Sequence, residues 1–348
     1  MSSRFFRRVL TLFLLFVAGA ILAIMWMAGG VQTARKMPTV VEHIQGHVRT
    51  GTSGLSIVSW NIAWGYGWGS EGSGAPRSRD HFEQRLTEIA SVLKKIDADI
   101  VLLQEVDFDS TRSHGIDQAR YLALKTGYPF IVRAESWRAN WVPFPYWPIR
   151  NHFGRMHSGG AILSHYPLTN AEAVLFEKPA KNPFWYNLFY LFRYAQTARV
   201  VLPGRTVNLI NTHLEAFDRP NREGQAERLV QIALIALKEG SLIIGGDFNS
   251  VPPEATIQGG YEDEPESRHD GDRTIVTVRA IDGLSDSLPS KTYLENESAF
   301  FTFPAHAPNR KLDFVFGSDD LRVVEARTIQ EAGDASDHLP IFTRFKFD

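Results

Sequence analysis

The chain has 348 residues, enough for one large domain or two small ones, with an ordinary globular composition of 44% hydrophobic and 22% charged side chains. A formal net charge of −2, from 37 Lys+Arg against 39 Asp+Glu, excludes a global basic field of the kind that gathers nucleic acid. The absence of cysteine excludes disulfides, thiolate metal sites and a cysteine nucleophile, so any metal rests on nitrogen and oxygen ligands, which favours a hard ion such as Mg²⁺ or Mn²⁺.

At the N-terminus, Arg4, Arg7 and Arg8 precede the uncharged run VLTLFLLFVAGAILAIMWMAGG, residues 9–30. A helix of that length, rising about 1.5 Å per residue, spans the hydrocarbon core of a bilayer. The run predicts a transmembrane signal anchor, and the small residues Ala28 to Gly30 leave a cleaved signal peptide open. The leading arginines outweigh Arg35 and Lys36 behind the run, which favours a cytoplasmic tail at 1–8. The remainder is then expected outside the cytoplasm, on the periplasmic side of a bacterial inner membrane. Residues 31–53 read as a linker and residues 54–348 as one catalytic domain.

Within that domain strands and helices alternate. LSIVSWNIA (55–63) reads as a strand, rich in β-branched and aromatic residues. A flexible loop is expected at 65–79. Asp80 and Glu83 suggest a capping box for a helix whose apolar positions Phe82, Leu86, Ile89, Leu93 and Ile96 recur at helical spacing. ADIVLLQEV (98–106) predicts a buried strand, and a helix follows near 118–126. Further strands are expected at 160–168, 197–202 and 206–214, then a helix at about 223–238. SLIIGGDFN carries a strand into two glycines, which permit a close approach by substrate. Residues 259–273 read as an acidic surface loop, and 311–317 and 321–329 as late strands. The alternation predicts an α/β domain of sheets packed between helices.

Several of these strands end in the same kinds of residue. They deliver Asn61, Glu105, Asn211 and His213, Asp247 and Asn249, and Asp313, and the turn SDHLP adds Asp337 and His338. Carboxylates, carboxamides and imidazoles offer metal ligands, hydrogen bonds and proton transfer, and they gather where apolar strands give way to loops. Taken singly, Asn61 also fits a turn cap, Asp337 a turn residue, and either histidine a structural role. Glu105 at the end of a buried strand needs a cation or several donors as partner.

The stretches SWNIA, LLQEV, GAILSHYP, NTHLE, GGDFNS, KLDFVF and SDHLP, in that order across residues 57–340, resemble the endonuclease/exonuclease/phosphatase (DNase I-like) superfamily of metal-dependent phosphoesterases. The resemblance implies a four-layer fold, two packed β-sheets flanked by helices. It implies a Mg²⁺ (or Mn²⁺) held by Glu105 with Asn61 beside it and Asp337 as a further ligand. It implies Asp247 as acid or base with Asn249 donating hydrogen bonds, and His213 and His338 on the phosphate oxygens, with Asp313 orienting His338. The choice of base between Asp247 and His338 stays open, as does the number of metals. His165 stands where the family strand often has arginine, and a peripheral effect is expected.

Two segments bear on the substrate. Residues 135–158 and 182–195 read as surface loops rich in Trp, Tyr and Phe, with charge that is nearly all arginine and histidine. Such loops suit a bilayer interface, or else pack on each other as a satellite core. With the anchor at 9–30, the leading expectation is a membrane-bound phosphodiesterase acting on a phospholipid or sphingolipid headgroup, with the bilayer as partner. The alternatives are a Mg²⁺-dependent nuclease, a phosphatase of soluble phosphorylated sugars or inositols, and a non-catalytic module that binds lipid or protein. The oligomeric state stays open.

Overall fold

The computed structural model describes residues 3–30, 35–51, 53–67 and 75–347. Part of the loop expected at 65–79, residues 68–74, lies outside them. In chain order the elements are α1 (Ser3–Met27), β1 (Lys36–Pro38), β2 (Val41–His43), β3 (Gly54–Asn61), α2 (Arg79–Ile96), β4 (Ile100–Asp107), α3 (Gln118–Thr126), β5 (Phe130–Val142), β6 (Gly154–Ser164) and β7 (Leu168–Leu175). There follow α4 (Phe184–Phe189), β8 (Tyr194–Leu202), β9 (Arg205–His213), α5 (Arg219–Glu239), β10 (Leu242–Asp247), α6 (Thr274–Arg279), β11 (Leu284–Asp286), α7 (Ser290–Glu295), β12 (Asp313–Ser318), β13 (Leu321–Thr328) and β14 (Ile341–Phe347).

Two seven-stranded sheets result, one in the order β1-β7-β8-β9-β10-β12-β11 and the other β13-β14-β3-β4-β6-β5-β2. Each has one parallel pair near its centre, β9 with β10 and β3 with β4. The period-two alternation of side chains sorts the apolar residues into layers. Leu55, Ile57, Ile100 and Leu102 of one sheet meet Val207, Leu209, Ile243 and Val315 of the other between the sheets. On the outer face of the second sheet, Val58, Trp60, Val101 and Leu103 lie under Phe82, Leu86 and Ile89 of α2. On the outer face of the first, Ile210, Ile244 and Phe314 lie under Leu229 of α5 and Ile275 of α6. The fold is therefore the expected four-layer α/β sandwich, helix, sheet, sheet, helix.

Three local expectations are corrected. Within the segment read as a linker, residues 36–38 and 41–43 form edge strands, with β1 pairing to β7 and β2 to β5, one on each sheet. The α2 cap is Ser78, whose hydroxyl accepts from the His81 amide at 3.2 Å; Asp80 falls instead in the first turn, where its charge faces the positive end of the helix. Residues 135–158 are mostly a β5–β6 hairpin rather than a loop, because 130–142 and 154–164 pair antiparallel.

The apolar α1 is exposed along nearly all its length, and its 25 residues suffice for a membrane span or a signal. Its C-terminal end packs on the domain: Ala28 is buried, and the Asn140 side chain donates to the Trp26 carbonyl at 2.7 Å.

Candidate active site

Strand register sets the first row of the site. Asp247, at the end of β10, is paired across the ladder with His213 of β9 on one side and Asp313 of β12 on the other. All three share the parity of Val207, Leu209, Ile243 and Val315, so they continue the inter-sheet face beyond the point where apolar packing stops. The glycines before Asp247 serve packing rather than substrate access. A Cβ at Gly245 would lie 2.7 Å from Leu102 of the opposite sheet, and one at Gly246 would collide with the Thr212 carbonyl.

The second sheet supplies Asn61 and Glu105. Asn61 ends β3, and its amide nitrogen donates to Asp247 Oδ2 at 3.0 Å and to Glu105 Oε1 at 3.3 Å. Its oxygen accepts from the Ala63 amide at 3.0 Å, so it faces away from the carboxylates. Strict alternation would turn Glu105 toward α2. A β-bulge prevents this: Leu103 pairs with Ala161 and Val106 with Gly159, leaving two residues of β4 opposite one of β6. Glu105 adopts φ 53°, in the left-handed region, and its side chain remains 37% exposed.

The turn before β14 completes the cluster. His338 Nδ1 lies 2.8 Å from Asp313 Oδ2, and its Nε2 lies 3.6 Å from Asp247 Oδ2. The Trp60 indole donates to the His338 carbonyl at 2.8 Å, and the Ser336 hydroxyl donates to the Asn61 carbonyl at 2.8 Å, tying this turn to β3. From the other side, His213 Nε2 lies 3.4 Å from the same Asp247 oxygen and 3.9 Å from Glu105. Asp337 stands beside the cluster, half-buried, on the cleft wall. Asn249 adjoins it, but its side-chain nitrogen donates to the Leu214 carbonyl at 2.9 Å; what reaches Asp247 is the Asn249 backbone N–H, at 2.9 Å. The eight residues to which the family resemblance gives a role are thus brought together.

Other residues of the site carried no separate signal in the sequence. Arg193 is buried and donates to His213 Nε2 at 2.5 Å; since arginine only donates, the imidazole proton sits on Nδ1. Its guanidinium also lies 3.8 Å from Glu215, which accepts from the Tyr190 hydroxyl at 2.8 Å. Arg193 hides at the end of the aromatic stretch 182–195, where composition drew attention to the rings. Asn211, expected at the site, lies beneath it, bonded to Gln104, Gln196 and the Leu103 carbonyl as a buried polar floor. His165 packs against Tyr128, the rings tilted by 30° with centroids 4.1 Å apart, and is absent from the cleft lining.

Electrostatics distinguish the four titrating groups. Burial pushes the Asp247 carboxyl up to about 7. Burial, with Glu105 adding to it, pushes Asp337 up to about 6. Burial opposes charge on His338, but Asp313 and Asp247 outweigh it and raise the imidazole to about 10. Burial, then Arg193 and His338, holds His213 well below the usual histidine range. Near neutral pH, His338 is the cation and His213 is neutral.

A cleft of about 1160 Å³ opens over these residues. Its walls include Trp137, Phe144, Phe153 and Phe217, and Arg112, whose guanidinium forks onto Asp107 and lies 4.1 Å from the Trp64 ring centroid. A profile of the endonuclease/exonuclease/phosphatase family matches residues 58–338, which include every residue of the cluster. The chain belongs to that family.

Solved structures share its fold, two of them described as endonuclease/exonuclease/phosphatase proteins. A protein from Beutenbergia cavernae superposes with a TM-score of 0.57 at 21% identity, covering 85% of this chain and 72% of that one. One from Bacteroides vulgatus gives 0.57 at 15% identity, covering 85% and 100%. A humanised D. rerio TDP2 carrying 14 mutations gives 0.55 at 17% identity, again covering 85% and 100%. No curated protein matches the chain significantly.

The donor set fits the divalent metal that this family of phosphoesterases uses. Ligand atoms of Asp247, Asp313 and His338 all lie within 4.8 Å of one another, so this buried group could hold an ion. Asp313 Oδ1 is buried without a hydrogen-bond partner, and burial raises the Asp247 and Asp337 carboxyls, a cost that a bound cation would offset. Glu105 and Asp337 add oxygens on the cleft side. Asn61 turns donors toward these carboxylates, so in this arrangement it orients them rather than offering an oxygen to the ion.

Proposed function

We propose that the protein is a membrane-anchored, divalent-metal-dependent phosphodiesterase that hydrolyses the phosphoester of a phospholipid or sphingolipid headgroup, with its catalytic domain outside the cytoplasm. One observation carries the catalytic reading. His213 Nε2 and His338 Nε2 flank a single Asp247 oxygen at 3.4 and 3.6 Å, with Glu105 beside them on the cleft floor. With a cation on the carboxylates, and with His338 and Arg193 as the charged donors, this cluster suits a phosphoryl group and the water that attacks it.

Bound on the cleft side by Glu105 and Asp337 rather than within the Asp247, Asp313 and His338 group, Mg²⁺ would supply Lewis-acid stabilisation of the charge that grows on the phosphoryl oxygens and leave His338 its proton. The remaining work falls to the chain. Protonated His338 directs Nε2–H at a phosphoryl or leaving oxygen, and Asp313 fixes the ring's orientation and its charge by accepting from Nδ1–H. Asp247, poised near neutrality, takes the proton of the attacking water; the Asn61 amide and the Asn249 backbone N–H each hold one of its oxygens. With His338 already charged, Asp247 is the better base. Arg193 secures neutral His213 and adds positive charge beside the phosphate.

The lipid reading rests on exposed aromatic rings. Phe217 on the cleft wall, Trp147 at the β5–β6 tip and Phe184 of α4 are 75%, 78% and 79% exposed, and residues 4–27 form an apolar helix long enough to anchor the chain. A nucleic acid substrate is disfavoured because Arg112, Arg222 and Arg310 on the cleft wall already pair with Asp107, Asp272 and Asp263.

The test is a substrate panel. The full chain in detergent is offered mixed phospholipid and sphingomyelin vesicles, plasmid DNA, inositol phosphates and a chromogenic phosphodiester, each with Mg²⁺ and with EDTA. Mg²⁺-dependent release of a lipid headgroup is expected. Plasmid nicking or inositol phosphate cleavage without lipid hydrolysis overturns the substrate class, and inactivity on every substrate overturns the enzyme.

A further inference from the structure

We propose that the junction between α1 and β5 holds the cleft mouth against the leaflet from which α1 emerges, so that the aromatic tip of the β5–β6 hairpin sits in the headgroup layer and substrate lipids enter from the same membrane. This rests on α1 being a retained anchor.

The end of α1 is built as a joint, not a free tether. Met25 and Met27 are half-buried and Ala28 is buried. The Trp26 carbonyl accepts from the Asn140 side chain at 2.7 Å, and the Gly30 amide closes the helix by donating to the Met25 carbonyl at 2.9 Å. Gly29 adopts φ +77°, and a Cβ there would stand 3.0 Å from the Arg138 carbonyl. A residue with a side chain is therefore strained twice, by its backbone and by β5. The seam is tight enough to fix the direction in which the domain leaves the membrane.

The strand that forms the joint also forms the cleft wall. From Asn140 the chain runs four residues to Phe144, at most about 13 Å at strand spacing. Phe144 lines the cleft together with Phe153 on the returning side of the tip. Between them Tyr146, Trp147 and Ile149 are exposed by 61%, 78% and 60%. A headgroup layer is roughly 5–8 Å deep on each side of the hydrocarbon core, so a tip this close to the end of α1 falls within or beside it. Its composition matches that depth. Residues 139–158 contain no Asp or Glu, and their charge is Arg150 and Arg155 with His152 and His157. Amphipathic rings and arginines settle together at an anionic lipid interface. A soluble protein partner would leave unexplained why the exposed rings start within one turn of chain from the anchor joint.

Because the chain has no cysteine, single labels can be placed cleanly. A nitroxide is attached to the full-length Trp147→Cys variant, and to an Ile235→Cys control. Ile235 is exposed near the far end of α5, about 24 Å along its axis from Arg219 at the cleft. Both proteins are reconstituted in phosphatidylethanolamine–phosphatidylglycerol vesicles. Collision with oxygen is then compared with collision with a water-soluble nickel chelate. The label at 147 is expected to favour oxygen several-fold over the label at 235. Adding Gly29→Val should bring the 147 label to the control value while hydrolysis of a soluble phosphodiester is retained.

Equal nickel access at 147 and 235 overturns the proposal, and so does immersion that survives Gly29→Val, since the joint would not then set the orientation. The spin-label readout requires no turnover. Immersion without lipid hydrolysis therefore upholds the orientation and refutes the lipid substrate, keeping the two failures apart.

Discussion

Asn61 ends a strand of one sheet, Asp247 ends a strand of the other, and the Asn61 carboxamide donates to the Asp247 carboxylate across the gap at 3.0 Å. The same nitrogen reaches Glu105, so one side chain sets the spacing of two carboxylates that arrive from opposite layers. Asn61→Ala is expected to lower activity and apparent Mg²⁺ affinity by about 10–100-fold, the usual effect of removing a group that orients metal ligands. A Mg²⁺ titration of kcat/KM checks this; an unchanged midpoint would refute the bridging role.

Glu105 occupies a left-handed backbone conformation in a bulge, which favours glycine. Replacing it separates stability from function. Glu105→Gly and Glu105→Ala should both be inactive, with the glycine variant more stable by about 1 kcal/mol. Urea unfolding of the two proteins measures the difference. A more stable alanine variant would mean that the bulge is relaxed in solution.

Asp313 beside His338 predicts a histidine that stays charged well above neutrality in the metal-free protein. Its folded pKa of about 10 exceeds the unfolded value of about 6.5. The stability it contributes is therefore complete below about 6.5 and is lost as pH rises through 10. Imidazole nitrogen shifts followed by NMR should show His338 protonated at pH 8 and, in Asp313→Asn, titrating at a lower pH. A wild-type midpoint at the ordinary histidine value would contradict the pairing.

Arg222 and Asp272 form a buried ion pair at 2.7 Å that joins α5 to the loop before α6. Burial disfavours the Asp272 charge, but His269 and Arg222 outweigh it and hold the carboxyl below its usual range. A depressed carboxyl stabilises the fold above its unfolded pKa, near 3.9, and that contribution fades as pH falls through the folded value. Asp272→Asn leaves Arg222 buried without a counter-charge and should cost about 3–5 kcal/mol at pH 7. The gap should narrow toward pH 2. Denaturant melts at both pH values decide it, and a constant gap would argue against an ionic cause.

The residues at strand ends were legible because a period-two pattern carries apolar side chains up to a polar terminus. Once β9, β10 and β12 align, His213, Asp247 and Asp313 follow as neighbours. What stayed hidden depends on partners distant in sequence. The bulge that turns Glu105 inward is a property of the β4–β6 pairing, not of LLQEV. The role of Arg193 needs His213 beside it, and the edge strands in 31–53 need β7 and β5. The hairpin at 135–158 looked like loop because prolines and aromatic rings at its tip masked the strands leading into it.

The central claim is that carboxylates and imidazoles converging on Asp247 form a metal-dependent phosphoesterase site. The most direct measurement is turnover of a chromogenic phosphodiester by the full chain, stripped with EDTA and then given Mg²⁺, alongside Glu105→Gln. The predicted result is activity that vanishes on stripping, returns with Mg²⁺ and falls at least about 10²-fold in the variant. Undiminished turnover by the stripped protein, or by Glu105→Gln, would contradict it.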